Sequence, residues 1–330
     1  MRIHWHALAA ASLYLSHGCA HRSGNTGYAS ATSAQERWKD TRRKKWIEEL
    51  GEKFELRTVQ FQNSSREYLL FTPASYRSTR PSPMVVGFHG GTTSDVRFAR
   101  TTLFHRLAEE KGFLVAYPNG VGGNWNDGRG TANPDLDDVG FVMALIEDVK
   151  SRRSLDAKRI YATGISNGAF MVQRLACEKS DRIAAFSAAA GSMGTLLREK
   201  CNPKYPVPML LMNSPKDRIV PWHGGDMQHG KGGKILSVPE LADFWKNINE
   251  CGASSEETLQ NSRVSTASRV KVLRFEGCRN NANVALYRIE DGGHTWPDGD
   301  DQPAVVVGPT SKQFNATQVS WDFFRQHALP

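Results

Sequence analysis

A serine hydroxyl is a weak nucleophile near neutral pH. It needs a base to take its proton, and that base needs an acid to orient it. One serine of this chain sits in a pattern suited to that work. In RIYATGISNGAF, from Arg159 to Phe170, an apolar run leads through Gly164-Ile165-Ser166-Asn167-Gly168 into a helical pattern. G-x-S-x-G between a strand and a helix is the spacing of a nucleophile elbow, a sharp turn that lifts the serine clear of a sheet. Gly164 and Gly168 have no side chains, so strand and helix can close around a strained residue. Ser166 would then stand at a helix N-terminus, whose dipole favours developing negative charge.

In such an arrangement the acid and then the histidine follow the serine along the chain, each just after a later strand. The apolar run Val207–Met212 leads into Asn213-Ser214-Pro215-Lys216-Asp217. Asp217 is the candidate acid; its other reading is a turn aspartate. Asp226 competes, deeper in a glycine-rich loop. Val284–Ile289 leads into Glu290-Asp291-Gly292-Gly293-His294, and His294 is the candidate base. His223 and His229 lie too soon after the acid to fit the order. Two donors must face the oxyanion of a tetrahedral intermediate. One is expected from the N–H of Asn167. The other is expected from the His89-Gly90-Gly91-Thr92 turn, at Gly91 or Thr92. Trp125 and Trp296 are candidates to stack on a substrate group, with core packing as the alternative. No step of this chemistry needs a metal or another cofactor.

These residues require a particular scaffold. Apolar runs at Met84–His89, Phe113–Tyr117, Arg159–Ser166, Ile183–Ala190, Val207–Met212, Lys271–Phe275 and Val284–Ile289 read as strands. Helical patterns at Asp95–Glu110, Asp135–Val149, Asn167–Glu178, Pro239–Asn249 and Asn315–His327 separate most of them. That alternation predicts an α/β fold, a mostly parallel central sheet with helices on both faces. Leu56–Gln62 and Arg66–Phe71 read as a hairpin at a sheet edge. Asp137 and Asp138 read as acids that complement a helix N-terminus.

The chain has 330 residues, of which 39% are hydrophobic and 23% charged, in keeping with a globular protein with a full core. The net charge of +8 favours weak association with anionic surfaces. The basic residues are dispersed and form no recognition motif, which disfavours nucleic acid as a partner. The densest run, Arg42-Arg43-Lys44-Lys45, reads as a solvated helix face. Arg2 and the short apolar run Ala7–Leu15 read as an export signal over residues 1–20, too short to span a bilayer as a mature helix. Cys19 is a candidate for lipidation, which would anchor the protein to a membrane; cleavage at Gly18-Cys19-Ala20 is the alternative. Residues 21–50 read as a tether and a short surface helix, and 51–330 as one catalytic domain. An exported chain can hold disulfides. Cys177, Cys201, Cys251 and Cys278 allow three pairings, among which closeness in sequence favours 177 with 201 and 251 with 278.

The run YATGISNGAFMVQRLAC followed by DRIAAFSAAAG, the earlier HGG, the helix DLDDVGFVMALIEDV, and GGHTWPDG followed by WDFFRQH carry a likeness. Together they resemble the polyhydroxybutyrate-depolymerase-type esterase family, which is similar to feruloyl and acetylxylan esterases. The resemblance spans roughly residues 55–327. It implies an α/β-hydrolase fold, with Ser166, Asp217 and His294 at the triad positions. It also implies disulfides Cys177–Cys201 and Cys251–Cys278. The expected activity is hydrolysis of carboxylic esters through an acyl-enzyme, on oligomers or small esters. Phenolic or acetyl esters of plant polysaccharide are the alternative substrates. A reading of another class is a non-catalytic envelope or polymer-binding protein on the same scaffold.

Overall fold

The computed structural model describes residues 34–259, 269–299 and 304–330. The expected export signal, Cys19 and most of the expected tether lie outside the described residues. The chain divides into two compact units, Met1–Thr41 and Arg42–Pro330. The first described element is helix α1 (Ala34–Leu50), at the place of the expected surface helix.

The chain then forms the hairpin β1 (Phe54–Phe61) and β2 (Ser64–Phe71), followed by β3 (Ser82–Phe88). Helices α2 (Asp95–Thr102) and α3 (Phe104–Lys111) lead to β4 (Leu114–Pro118). Next come α4 (Asp138–Arg152), β5 (Leu155–Ile165), α5 (Asn167–Glu178) and β6 (Ala185–Ala189). After α6 (Thr195–Lys200) and β7 (Met209–Asn213), the short strands β8 (Gly225–Asp226) and β9 (Lys234–Ile235) pair with each other. Then follow α7 (Val238–Ile248), β10 (Ala253–Thr258), β11 (Val270–Glu276) and β12 (Val284–Ile289). The short α8 (Ala304–Val307) and α9 (Ala316–Phe324) close the chain.

Ten strands form one sheet in the order β1-β2-β4-β3-β5-β6-β7-β12-β11-β10. The six inner strands from β4 to β12 are parallel, and both edges are antiparallel. The expected fold is therefore present, with more antiparallel edge than the sequence suggested. Neighbouring residues of the inner strands alternate between two cores, as the period of a strand requires. Val86, Ala162 and Leu211 enter one core with the helices α4, α5 and α7. Val85, Tyr161 and Leu210 enter the other with α2, α3 and α9. Fully covered faces explain the continuous apolar runs.

Three readings change in the structure. The helix expected over Asp95–Glu110 breaks at Leu103, whose φ is 55°. Thr102 donates its hydroxyl back to the Phe98 carbonyl at 2.9 Å, and its own carbonyl accepts the Thr317 hydroxyl at 2.5 Å. Such back-bonding competes with the helix ladder. Arg43 is no solvated side chain. It donates to both carboxylate oxygens of buried Asp95, at 2.9 and 2.7 Å, and to Glu67 at 2.6 Å. Asp138 does more than complement a dipole. It is fully buried, pairs with Arg66 at 2.7 Å, and accepts the Asn126 N–H at 2.7 Å. Asp137 is the cap of α4, accepting from the Gly140 N–H at 2.8 Å.

Candidate active site

Ser166 lies between the end of β5 and the start of α5, at the centre of the sheet. Its φ is 56° and its ψ −125°, a backbone shape that a residue with a Cβ keeps only when its surroundings hold it. The holding bonds are present. Ser166 N–H donates to the Ala189 carbonyl in β6 at 3.0 Å, and the Ser166 carbonyl accepts from Ala169 and Phe170 at 2.8 and 3.1 Å. The start of α5 sits hard against β3: a Cβ at Gly168 would overlap the Phe88 carbonyl oxygen. A Cβ at Gly164 would lie 2.5 Å from the Gly168 carbonyl oxygen, and this is the close approach of β5 and α5 expected from the glycine spacing.

Asp217 and His294 meet. Asp217 Oδ1 accepts the N–H groups of Ile219 and Val220 at 2.8 and 2.9 Å, and Oδ2 accepts His294 Nδ1–H at 2.8 Å. The carboxylate is buried. Since Nδ1 donates, Nε2 of a neutral His294 carries the lone pair. The histidine loop is set by a second strand of chain: Gly293 N–H donates to Pro309 O at 2.7 Å, and His294 N–H to Val307 O at 2.5 Å. Ser166 and His294 line the same cavity, of about 750 Å³. Among the described residues no hydrogen bond joins Ser166 Oγ to the imidazole. In enzymes without substrate such bonds are often long and tighten only in the complex. Asp226, the competing acid, is exposed on β8.

Of the expected oxyanion donors, Thr92 is excluded by its own bonding. Its N–H donates to the Gly123 carbonyl at 2.7 Å. The N–H groups of Gly91 and Asn167 have no acceptor among the described residues. Both residues line the cavity, and they adjoin, since a Cβ on Gly91 would lie 3.6 Å from that of Asn167. The turn before them is fixed by His89, which is fully buried. Gly120 N–H donates to His89 Nε2 at 2.9 Å, so the ring proton is on Nδ1 and donates to the Gly90 carbonyl at 2.7 Å. Burial pushes the pKa of His89 down and keeps the ring neutral.

Neither tryptophan lines the cavity, and both readings as substrate surfaces are corrected. Trp125 is fully buried. Its Nε1–H donates to the His89 carbonyl at 3.0 Å, its backbone N–H donates to Asn167 Oδ1 at 2.7 Å, and its ring meets Phe88 edge-on. Trp296 is 1% exposed, donates to Thr317 at 3.0 Å, and packs edge-on against Phe98 and Phe104. Both therefore hold loops rather than ligands.

Two residues escaped the sequence reading. Asp127 is buried and accepts Asn167 Nδ2–H at 2.6 Å, along with Arg129 Nε–H and Nη2–H at 3.0 and 2.7 Å. Arg129 is also buried, lies 4.3 Å over the Phe170 ring, and donates to the Gly232 carbonyl at 2.9 Å. This pair ties the loop after β4 to the first residue of α5. Its only trace in the sequence is an acid and a base two apart in Asp127-Gly128-Arg129, which reads as a turn. The disulfides Cys177–Cys201 and Cys251–Cys278 are both present, as the resemblance implied.

Comparison with known proteins agrees with this architecture. The family described as Esterase PHB depolymerase matches residues 66–198, a span that holds the His89 turn and the elbow but ends before Asp217. Feruloyl esterase B of Piromyces equi is 27% identical over 273 residues, 80% of this chain but 46% of that protein. A putative esterase, NocK, of Nocardia uniformis subsp. tsuyamanensis is 27% identical over 281 residues, 81% of each chain. A probable feruloyl esterase C of Aspergillus niger is 27% identical over 269 residues, 80% of this chain and 85% of that one. The chain thus spans about half the length of the Piromyces protein. Among solved structures, an acetyl xylan esterase from Aspergillus awamori superposes with a TM-score of 0.53 at 14% identity, covering 73% of this chain and 94% of that one. That last likeness is one of fold.

Proposed function

From its kinship with the polyhydroxybutyrate-depolymerase-type esterases we infer that the chain is a serine hydrolase of carboxylic esters. Ser166 Oγ attacks the ester carbonyl while His294 Nε2 takes its proton. Asp217 keeps the imidazole in the required tautomer and stabilises the imidazolium. The tetrahedral oxyanion is held by the N–H groups of Gly91 and Asn167 at the head of α5. Collapse returns the proton to the leaving alcohol and leaves an acyl group on Ser166. Water, activated by the same histidine, then releases the acid.

The observation that carries this reading is a serine held at φ 56° on the wall of a cavity shared with an imidazole already bound to a buried carboxylate. The experiment is hydrolysis of a short-chain nitrophenyl ester by the purified protein and by Ser166→Ala, with fluorophosphonate labelling in parallel. Turnover and labelling by the wild type, both lost in Ser166→Ala, are expected. Wild-type turnover by the variant would refute the role of Ser166. A wild type that neither turns over nor labels would favour a non-catalytic scaffold.

The names of the relatives favour feruloyl or acetyl esters of polysaccharide as a second substrate reading, and hydroxybutyrate oligomers, methyl ferulate and acetylated xylan separate them. The two disulfides and the leader sequence support an extracellular or envelope location. Lipidation at Cys19 would add a membrane anchor, and mass analysis of the mature N-terminus tests it.

A further inference from the structure

The cavity beside Ser166 carries a charge that ester hydrolysis itself does not require. Its wall includes Arg97, Arg129, Arg218 and Lys231, and no aspartate or glutamate among the described residues. Arg129 is accounted for, since it is buried and paired with Asp127 at 2.7 Å. Arg218 and Lys231 are different. Both are exposed, and neither makes an ion pair among the described residues. Many exposed cations elsewhere do have acids beside them, as Lys53 has Glu109, Arg100 has Glu49 and Lys271 has Glu256. The cavity also presents an apolar surface: Val305 and Val306 on α8 are 86% and 63% exposed. Among its described residues the site is one-signed, and a concave site with low-dielectric walls focuses its field on whatever enters.

We propose that the cavity selects esters that carry a free carboxylate, with the apolar body of the substrate against Val305 and Val306 and its carboxylate at Arg218 and Lys231. The inference rests on the esterase reading and narrows its substrate class to acidic esters, such as half-esters of dicarboxylic acids or the acid ends of hydroxy-acid oligomers. A neutral ester of the same length would gain the apolar contact and not the ionic one.

The test compares nitrophenyl hexanoate with the nitrophenyl half-ester of adipic acid, which has a carboxylate in place of the terminal methyl. The readout is the ratio of kcat/KM for the acid ester to that for the neutral ester, taken within one preparation. In the double variant R218Q/K231Q the ratio should fall about three- to tenfold, the scale of two exposed ion pairs. R218K/K231R should keep it. In the wild type the ratio should also fall as salt rises to about 0.5 M, where screening acts over only a few ångströms. The single variants R218Q and K231Q, read by the same ratio, decide the assignment if the double variant does not fold, and a ratio unchanged in both overturns it whatever the salt response. A ratio that moves neither with salt nor in R218Q/K231Q overturns the proposal and leaves the esterase reading standing. Failure to hydrolyse either ester overturns both.

Discussion

Asp217 divides its two oxygens between two tasks. Oδ1 holds its own loop through the N–H groups of Ile219 and Val220, and Oδ2 holds His294. Asp217→Asn should separate them. The amide oxygen can keep the backbone bonds, while the NH2 group faces Nδ1 and favours the tautomer with its proton on the wrong nitrogen. A loss in kcat of about 10⁴ is expected, as in the serine–histidine–aspartate template, with a thermal midpoint close to wild type. A variant with near-normal kcat would show that the carboxylate does not serve the imidazole. Gly293 supports the same histidine sterically, because a Cβ there would overlap the Val307 carbonyl oxygen, which is backbone and cannot swing away. Gly252 has open space at the same test. Gly293→Ala should cost about 2 kcal/mol or more in urea unfolding, and Gly252→Ala about 0.5 kcal/mol or less in either direction. Equal costs would mean that the His294 loop can move aside without penalty.

At the scale of elements, the site depends on how the loop after β4 is pinned to α5. Asp127, Arg129 and Asn167 form one buried polar cluster. Removing the acid leaves a buried guanidinium without its partner, which is costly. Asp127→Ala should lower stability by about 3 kcal/mol and reduce kcat as well, because Asn167 loses a bond that holds its side chain at the head of the helix. The comparison is Arg174→Ala, which removes an exposed i,i+4 pair with Glu178 and a bond to the Asn126 carbonyl; its cost in the same melt should be smaller. Equal losses would remove the buried pair from any special role. This cluster also marks where sequence reading stops. The strand–helix alternation, the elbow turn and the meeting of Asp217 with His294 were legible because each rests on a local period or a turn with its own chemistry. Trp125 and Trp296 were misread because a tryptophan in a glycine-rich loop has no period. Their burial is decided by partners far along the chain, Asn167 and Phe88 for one and Thr317 and Phe104 for the other. Thr92 was lost as a donor for the same reason, since the Gly123 carbonyl arrives only on folding.

At the scale of the whole molecule, three histidines far apart in sequence are kept from charging. Burial lowers the pKa of His89, and it lowers those of His105 and His327 to about 4. Among the described residues His105 Nδ1 and His327 Nε2 have no hydrogen-bond partner, so none of these residues accepts a proton placed on either atom. In the unfolded chain all three should titrate near 6.5. The folded state therefore binds fewer protons than the unfolded one across the window from about pH 6.5 down to about pH 4, and linkage makes stability fall as pH falls through it. Their contribution is complete above about pH 6.5 and is lost progressively toward pH 4. Acidic side chains titrate at the lower end of the same window, so wild-type acid sensitivity alone would not assign the effect. The paired substitution His105→Phe and His327→Phe does. Phenylalanine suits sites where the His105 ring meets Phe54 and the His327 ring meets Phe323, and it cannot take a proton. Urea midpoints measured from pH 7 to pH 4 should fall less steeply in the double variant, retaining about 2 kcal/mol more of the neutral-pH stability at pH 4. Parallel profiles for the two proteins would mean that these rings accept protons in the folded state as readily as in the unfolded one, and that acid acts on this fold through its carboxylates instead.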